Sequence, residues 1–244
     1  MSIAIPNGGK VVPLEVMLAI PEPEFTETHH PIAHYKCDNI IKQALKLLNV
    51  IIEKEMYSLS KDGNQAYGKL VLNTGKSMDI AQTLIWRNAL NKYFSFGICG
   101  GTHAWACSNL MMAGDFIEFR RHTKGMDENE LKMIVERRIT NIFPKLTELE
   151  NWHESLQFIK LSETETRAFA YKAINQGIIS KQKITEFDNI LFSENHEYDP
   201  FSLFGFHGAC TQLMREQSMT GSFVQKQKNL YQFTDDILEQ GVLN

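Results

Sequence analysis

Cysteine is scarce. Cys37, Cys99, Cys107 and Cys210 are the whole complement of 244 residues, too few and too scattered to form a disulfide framework. They read as free thiols in a reducing cytoplasm. Long apolar runs are also missing: no stretch approaches the roughly 18–20 apolar residues that cross a bilayer. The opening MSIAIPNGGKVVPLEV has one lysine and no basic leader, and Pro13 and Glu15 interrupt its apolar stretch, so no signal peptide is expected. An excess of positive charge is lacking as well. A net charge of -4 argues against a protein that coats DNA by charge alone.

Proline is nearly absent after residue 31. Five of the seven (Pro6, Pro13, Pro21, Pro23, Pro31) fall before that point, so residues 1–35 are expected to form an extended arm, lying on a neighbouring subunit or on the domain's own surface. Beyond it, Asp38 is placed to cap a helix reaching about Met56, with apolar positions Ile40, Ile41, Ala44, Leu45, Leu48, Ile51 and Ile52. Leu70–Leu72, Leu84–Trp86 and Phe116–Arg120 read as strands. Tyr93–Cys99 and His103–Cys107 read as a hairpin about Gly100-Gly101-Thr102.

From Asp127 the period turns helical. Asp127 with Glu130, and Ser162 with Glu165, look like capping boxes, and Pro144 is expected to end or kink the first of these helices. The next is expected to stop near Gly177. Asp199-Pro200 should open another through Met214, and Phe223 to Leu238 marks the last. The expected architecture is α+β: an N-terminal helix, a mainly antiparallel sheet of about five strands in residues 36–126, and a helical region over 127–244 packed on the same domain.

Common catalytic signatures are absent. Gly75-Lys76-Ser77 lacks the earlier glycine of a phosphate-binding loop, since Leu70 stands there. His153-Glu154 lacks a second histidine, Gln157 occupying its place. No Gly-x-Ser-x-Gly elbow, zinc-deaminase pattern or dinucleotide fingerprint occurs. Cys99, His103, Cys107 and His122 combine thiol and imidazole, but their spacing favours small core cysteines over a metal site. His30 and His34 in the arm are weaker still as ligands. No catalytic residue, metal or cofactor is therefore assigned, and enzymatic activity is not the favoured expectation.

The most informative segment is basic. Arg87, Lys92, Arg120, Arg121 and Lys124 face only Asp115 and Glu118 between residues 87 and 125, a local charge opposite to that of the whole chain. Arg137 and Arg138 could extend it. Guanidinium forks match phosphate geometry, and Trp86, Tyr93, Phe94, Phe96 and Trp105 could offer faces to unpaired bases. Arg87, Lys92, Arg120, Arg121, His122 and Lys124 are thus the candidate nucleic-acid contacts, with Asn88, Asn109 and Thr123 as a candidate polar site.

Arg87-Asn88, the glycine-bearing Gly97–Gly101, Cys107-Ser108-Asn109-Leu110 and Arg121-His122-Thr123, followed by Leu203–Thr211, occur in an order that resembles the phage and plasmid-like family of domain of unknown function 932. The resemblance spans about residues 35–235. Ala89-Leu90 and Gly208-Ala209 depart from its usual pattern. It implies a setting in phages, prophages and plasmids and announces no catalytic mechanism.

Three functions follow as expectations. The first is a mobile-element DNA-metabolism accessory that binds single-stranded DNA in annealing or recombination, with a homo-oligomer as an open alternative. The second is a protein that binds and blocks a host defence or replication factor, for which the acidic total and the arm speak. The third is an unfamiliar nuclease or nucleotide hydrolase using Asn88, Asn109, Arg121 and His122. No membrane partner is expected.

Overall fold

The computed structural model describes residues 8–73, 80–104, 110–111, 117–193, 199–214 and 221–240. The protein is α+β, with an antiparallel sheet in the N-terminal half and helices in the C-terminal half. The sheet has seven strands among the described residues rather than about five. Its centre is a meander of β2 (Ile51–Leu59), β3 (Gln65–Asn73), β4 (Ile80–Ala89) and β5 (Phe96–Ala104). The short β1 (Lys10–Val12) adds to β2, and β6 (Leu110–Met111) and β7 (Ile117–Arg120) both pair with β5.

The arm is not extended throughout. After β1 it forms the five-residue α1 (Leu14–Leu18), whose Met17 is fully buried in the same core as the sheet. The expected helix over 38–56 needs correction at both ends. It is α2 (His34–Leu47), and Asp38 lies inside it, buried, as an acceptor rather than a cap. Asp38 accepts from Trp86 Nε1 at 3.2 Å and pairs with Lys42 at 2.9 Å. The chain reverses at Asn49, which takes the left-handed φ of 56° that asparagine tolerates, and Ile51–Leu59 becomes a strand. Ile51 and Ile52 fit a helical stripe and a β-branched strand equally well, so periodicity alone could not separate the two.

The expected hairpin at Gly100 is likewise corrected: Gly100-Gly101-Thr102 lies within continuous β5, paired along β4. Glycine is needed there for close approach, since a Cβ on Gly100 would lie 2.5 Å from Ile142 Cδ1. That isoleucine belongs to α3 (Glu128–Leu156), capped by Asp127, whose side chain accepts from Glu130 N at 2.8 Å. Pro144 neither ends nor splits α3. Leu131, Val135, Ile139, Ile142, Leu146 and Leu149 form one unbroken buried face across it. Each such side chain contributes about 1.5–3 kcal/mol, which together exceeds the roughly 3 kcal/mol of an interior proline.

The remaining helices are α4 (Glu163–Asn175), α5 (Ile184–Leu191), α6 (Leu203–Met214) and α7 (Gly221–Gln240). The capping box of Ser162 and Glu165 opens α4 as expected. α5 was not expected. Asp199-Pro200 starts a turn, not a helix: Asp199 Oδ1 accepts from Phe201 N at 2.9 Å, and α6 begins at Leu203. One core joins α1, α2, α3 and sheet residues such as Leu70, Leu84, Trp86 and Ile98; the other gathers α4–α7 with Tyr67, Ile85 and Cys99. Among the described residues no helix is long and apolar enough to cross a membrane.

Candidate functional site

Antiparallel pairing of Phe96 with Arg120 puts the start of β5 beside the end of β7. The turn that leads into β5 and the loop that leaves β7 therefore lie side by side. The first is held by Leu90 N donating to Asn64 O at 2.8 Å, by Tyr93 N donating to Asn91 Oδ1 at 3.2 Å, and by a left-handed Lys92 with φ 62°. The second is held by Thr123 N donating to Arg121 O at 3.0 Å and Met126 N donating to Thr123 O at 2.8 Å. Between them and Thr28-His29 of the arm opens a cleft of about 370 Å³, lined also by Lys92, Tyr93, Phe94, Ser95, Arg121, His122 and Thr123.

A buried polar network holds the cleft in place. Asn88, on β4, is fully buried; its Nδ2 donates to Ile32 O at 2.7 Å and to His34 Nδ1 at 3.0 Å. Its Oδ1 lies 2.6 Å from His122 Nε2, which must be the donor. His34 Nε2 donates to Gly63 O at 3.0 Å. Burial pushes both His34 and His122 down to about 4, so both rings are neutral near pH 7. The tautomers follow: His122 keeps its proton on Nε2, leaving Nδ1 as a lone-pair acceptor, buried and without a protein partner. His29 spans both loops, with Nδ1 3.0 Å from His122 O and Nε2 3.0 Å from Leu90 O.

The expected basic set divides sharply. Lys92, Arg121, His122 and Thr123 meet in the cleft, and Asn88 stands directly behind His122. Arg87 is buried, its guanidinium 4.8 Å from the Phe94 ring centre and 4.4 Å from that of Phe119, so it serves as a packed structural cation rather than an open phosphate contact. Arg120 is held by an ion pair with Glu130. Lys124 is exposed in the next turn and does not line the cleft. Asn109, Trp105 and Cys107 lie outside the described residues. Of the expected stacking aromatics, Trp86 and Phe96 are core residues; Tyr93, 65% exposed, is the one that presents its ring openly among the described residues.

Sequence reasoning missed Thr28, His29 and Ser95 at the cleft and the role of His34 beneath it. His29 meets His122 across 93 positions, and no local pattern signals such a contact. The cysteines Cys37, Cys99 and Cys210 are buried and free, and burial raises the Cys99 thiol to about 12. No group of three or more potential metal ligands occurs among the described residues.

A second cleft of about 400 Å³ lies on the other side of the arm. Its charges are Glu22, Lys36, Asp127 and Glu128, and Lys36 is already bound to Glu22 and, at 2.6 Å, to Glu128. Those partners raise the Lys36 ammonium above its usual range. Phe25, 70% exposed, stacks on His30 at 4.9 Å.

No family model, curated protein or solved structure matches the chain.

Proposed function

We propose that the protein binds single-stranded nucleic acid at the cleft formed by Lys92, Tyr93 and Arg121, as a DNA-metabolism accessory of a phage or plasmid acting in annealing or recombination in the host cytoplasm. One observation carries the reading: two cationic side chains and an exposed aromatic ring share a cleft whose lining includes no carboxylate. Cations neutralise backbone phosphate, and a ring face stacks on an unpaired base without regard to sequence. Neither task requires bond chemistry. The resemblance to domain of unknown function 932 supports the mobile-element setting.

The test is fluorescence anisotropy with labelled single-stranded and double-stranded oligonucleotides at about 50 and 200 mM salt. Lys92→Asn suits the left-handed backbone there, and Arg121→Gln keeps polarity without charge. Preferential single-strand binding that weakens with salt, and a shallower salt slope in the double variant, is the expected result. An unchanged affinity and slope in the variant removes the cleft from consideration. A second reading, capture of a host protein, is favoured by the exposed Phe25 beside Glu22 and Glu128; it predicts binding that tolerates Lys92→Asn and fails with Phe25→Ser.

A further inference from the structure

The cleft is small. At about 370 Å³ it lies near the lower bound of the roughly 300–1,000 Å³ typical of small-ligand pockets, room for one nucleotide rather than a tract of strand. Its two cations are also more than one backbone phosphodiester needs. Lys92 and Arg121 form no ion pair among the described residues, whereas Arg120 beside them is neutralised by Glu130. A phosphodiester carries a single negative charge, but a phosphomonoester carries about −1.5 to −2 at neutral pH and three strong acceptor oxygens. Two cations in one cleft whose lining also includes the hydroxyl residues Ser95 and Thr123 match the second group better.

The rest of the lining is suited to the other end of such a ligand. Tyr93, 65% exposed, presents an open ring face. An open aromatic face in the same cleft as the cations suits the flat base of a nucleoside, which inorganic phosphate lacks.

The geometry points to a nucleotide phosphomonoester as the ligand of this cleft, supplied either as a free nucleoside monophosphate or as the terminal phosphate of a nucleic-acid strand. The inference rests on the nucleic-acid reading above and narrows it from any stretch of strand to an end or a single nucleotide.

The test compares internally labelled strands of one sequence with a 5′-phosphate, a 3′-phosphate or hydroxyls at both ends, and, separately, deoxyadenosine monophosphate, deoxyadenosine and inorganic phosphate by calorimetry. If the source is a strand end, one phosphorylated strand binds about tenfold more tightly than the hydroxyl-ended one. Lys92→Asn with Arg121→Gln erases that gap. If the source is free nucleotide, deoxyadenosine monophosphate binds while deoxyadenosine and inorganic phosphate bind at least about tenfold more weakly. Equal affinity for all three strands together with no binding of the monophosphate overturns the inference but leaves single-strand binding intact. Binding of the monophosphate without binding of any strand upholds the inference and removes the strand reading. These comparisons use the unaltered chain, so they do not depend on the variants folding.

Discussion

The two clefts flanking the arm are similar in size and opposite in character. His29 lines one and its neighbour His30 lines the other. In the first, the cations Lys92 and Arg121 stand open while the buried polar groups behind them are bound to one another. In the second, the single cation Lys36 is already held between two carboxylates, and the remaining charge is negative. Similar cavities on one scaffold thus differ in what they leave unsatisfied: the first retains free positive charge and the second has none to offer. Charge left open, not cavity volume, is the ground on which the first is proposed as the site of an anionic ligand.

The largest expected difference between them is in acid. The first cleft rests on His34 and His122, both buried and neutral with folded-state values near 4, against an ordinary value of 6.5. Because the unfolded chain takes up these protons first, their contribution is complete above about pH 6.5 and is lost as pH falls toward 4, on the order of 3 kcal/mol for each ring. His207, lowered to about 3 by burial, adds to the same trend. Urea unfolding between pH 7 and pH 4.5 should therefore show a steep fall in stability; a flat profile would mean that the rings are not buried as described.

Asn88 comes next, because it joins the two regions: it binds Ile32, which lines the second cleft, and His122, which lines the first. Asn88→Leu strands a carbonyl and two imidazole nitrogens in a dry site and should cost about 3 kcal/mol in urea unfolding, with disturbance of both clefts. A smaller effect is expected of Lys92→Asn with Arg121→Gln, which should reduce single-strand affinity about tenfold while moving stability by no more than about 0.5 kcal/mol. The smallest belongs to Lys36→Met. Its ion pairs are partly exposed, so stability should change by less than about 1 kcal/mol and nucleic-acid affinity not at all. A loss of affinity in Lys36→Met would erase the contrast between the clefts.

Much of this architecture was legible in the residues. The caps at Asp127 and Ser162, the strand pattern of Leu70–Leu72 and Leu84–Trp86, and the helical C-terminal half all follow from local chemistry. What failed was decided by distant partners. Ile51 and Ile52 join a strand because Leu72 and Asn73 are there to pair with them, and Gly100 is a contact point for Ile142 rather than a turn. At the site, Arg121 and His122 were singled out by a run of basic residues, which also swept in Arg87 and Arg120. Sequence cannot tell a cation packed between Phe94 and Phe119, or one paired with Glu130, from a cation left open. His29 was invisible because its partners are carbonyl oxygens, which every residue has.

The most direct measurement is photocross-linking of a single-stranded oligonucleotide containing 5-iodouracil, followed by mass spectrometry of the joined peptides. A strand seated on the open ring of the cationic cleft should yield its principal adduct at Tyr93, suppressed by Lys92→Asn with Arg121→Gln. Adducts confined to α4–α7, or concentrated at Phe25 in the second cleft, would contradict the account.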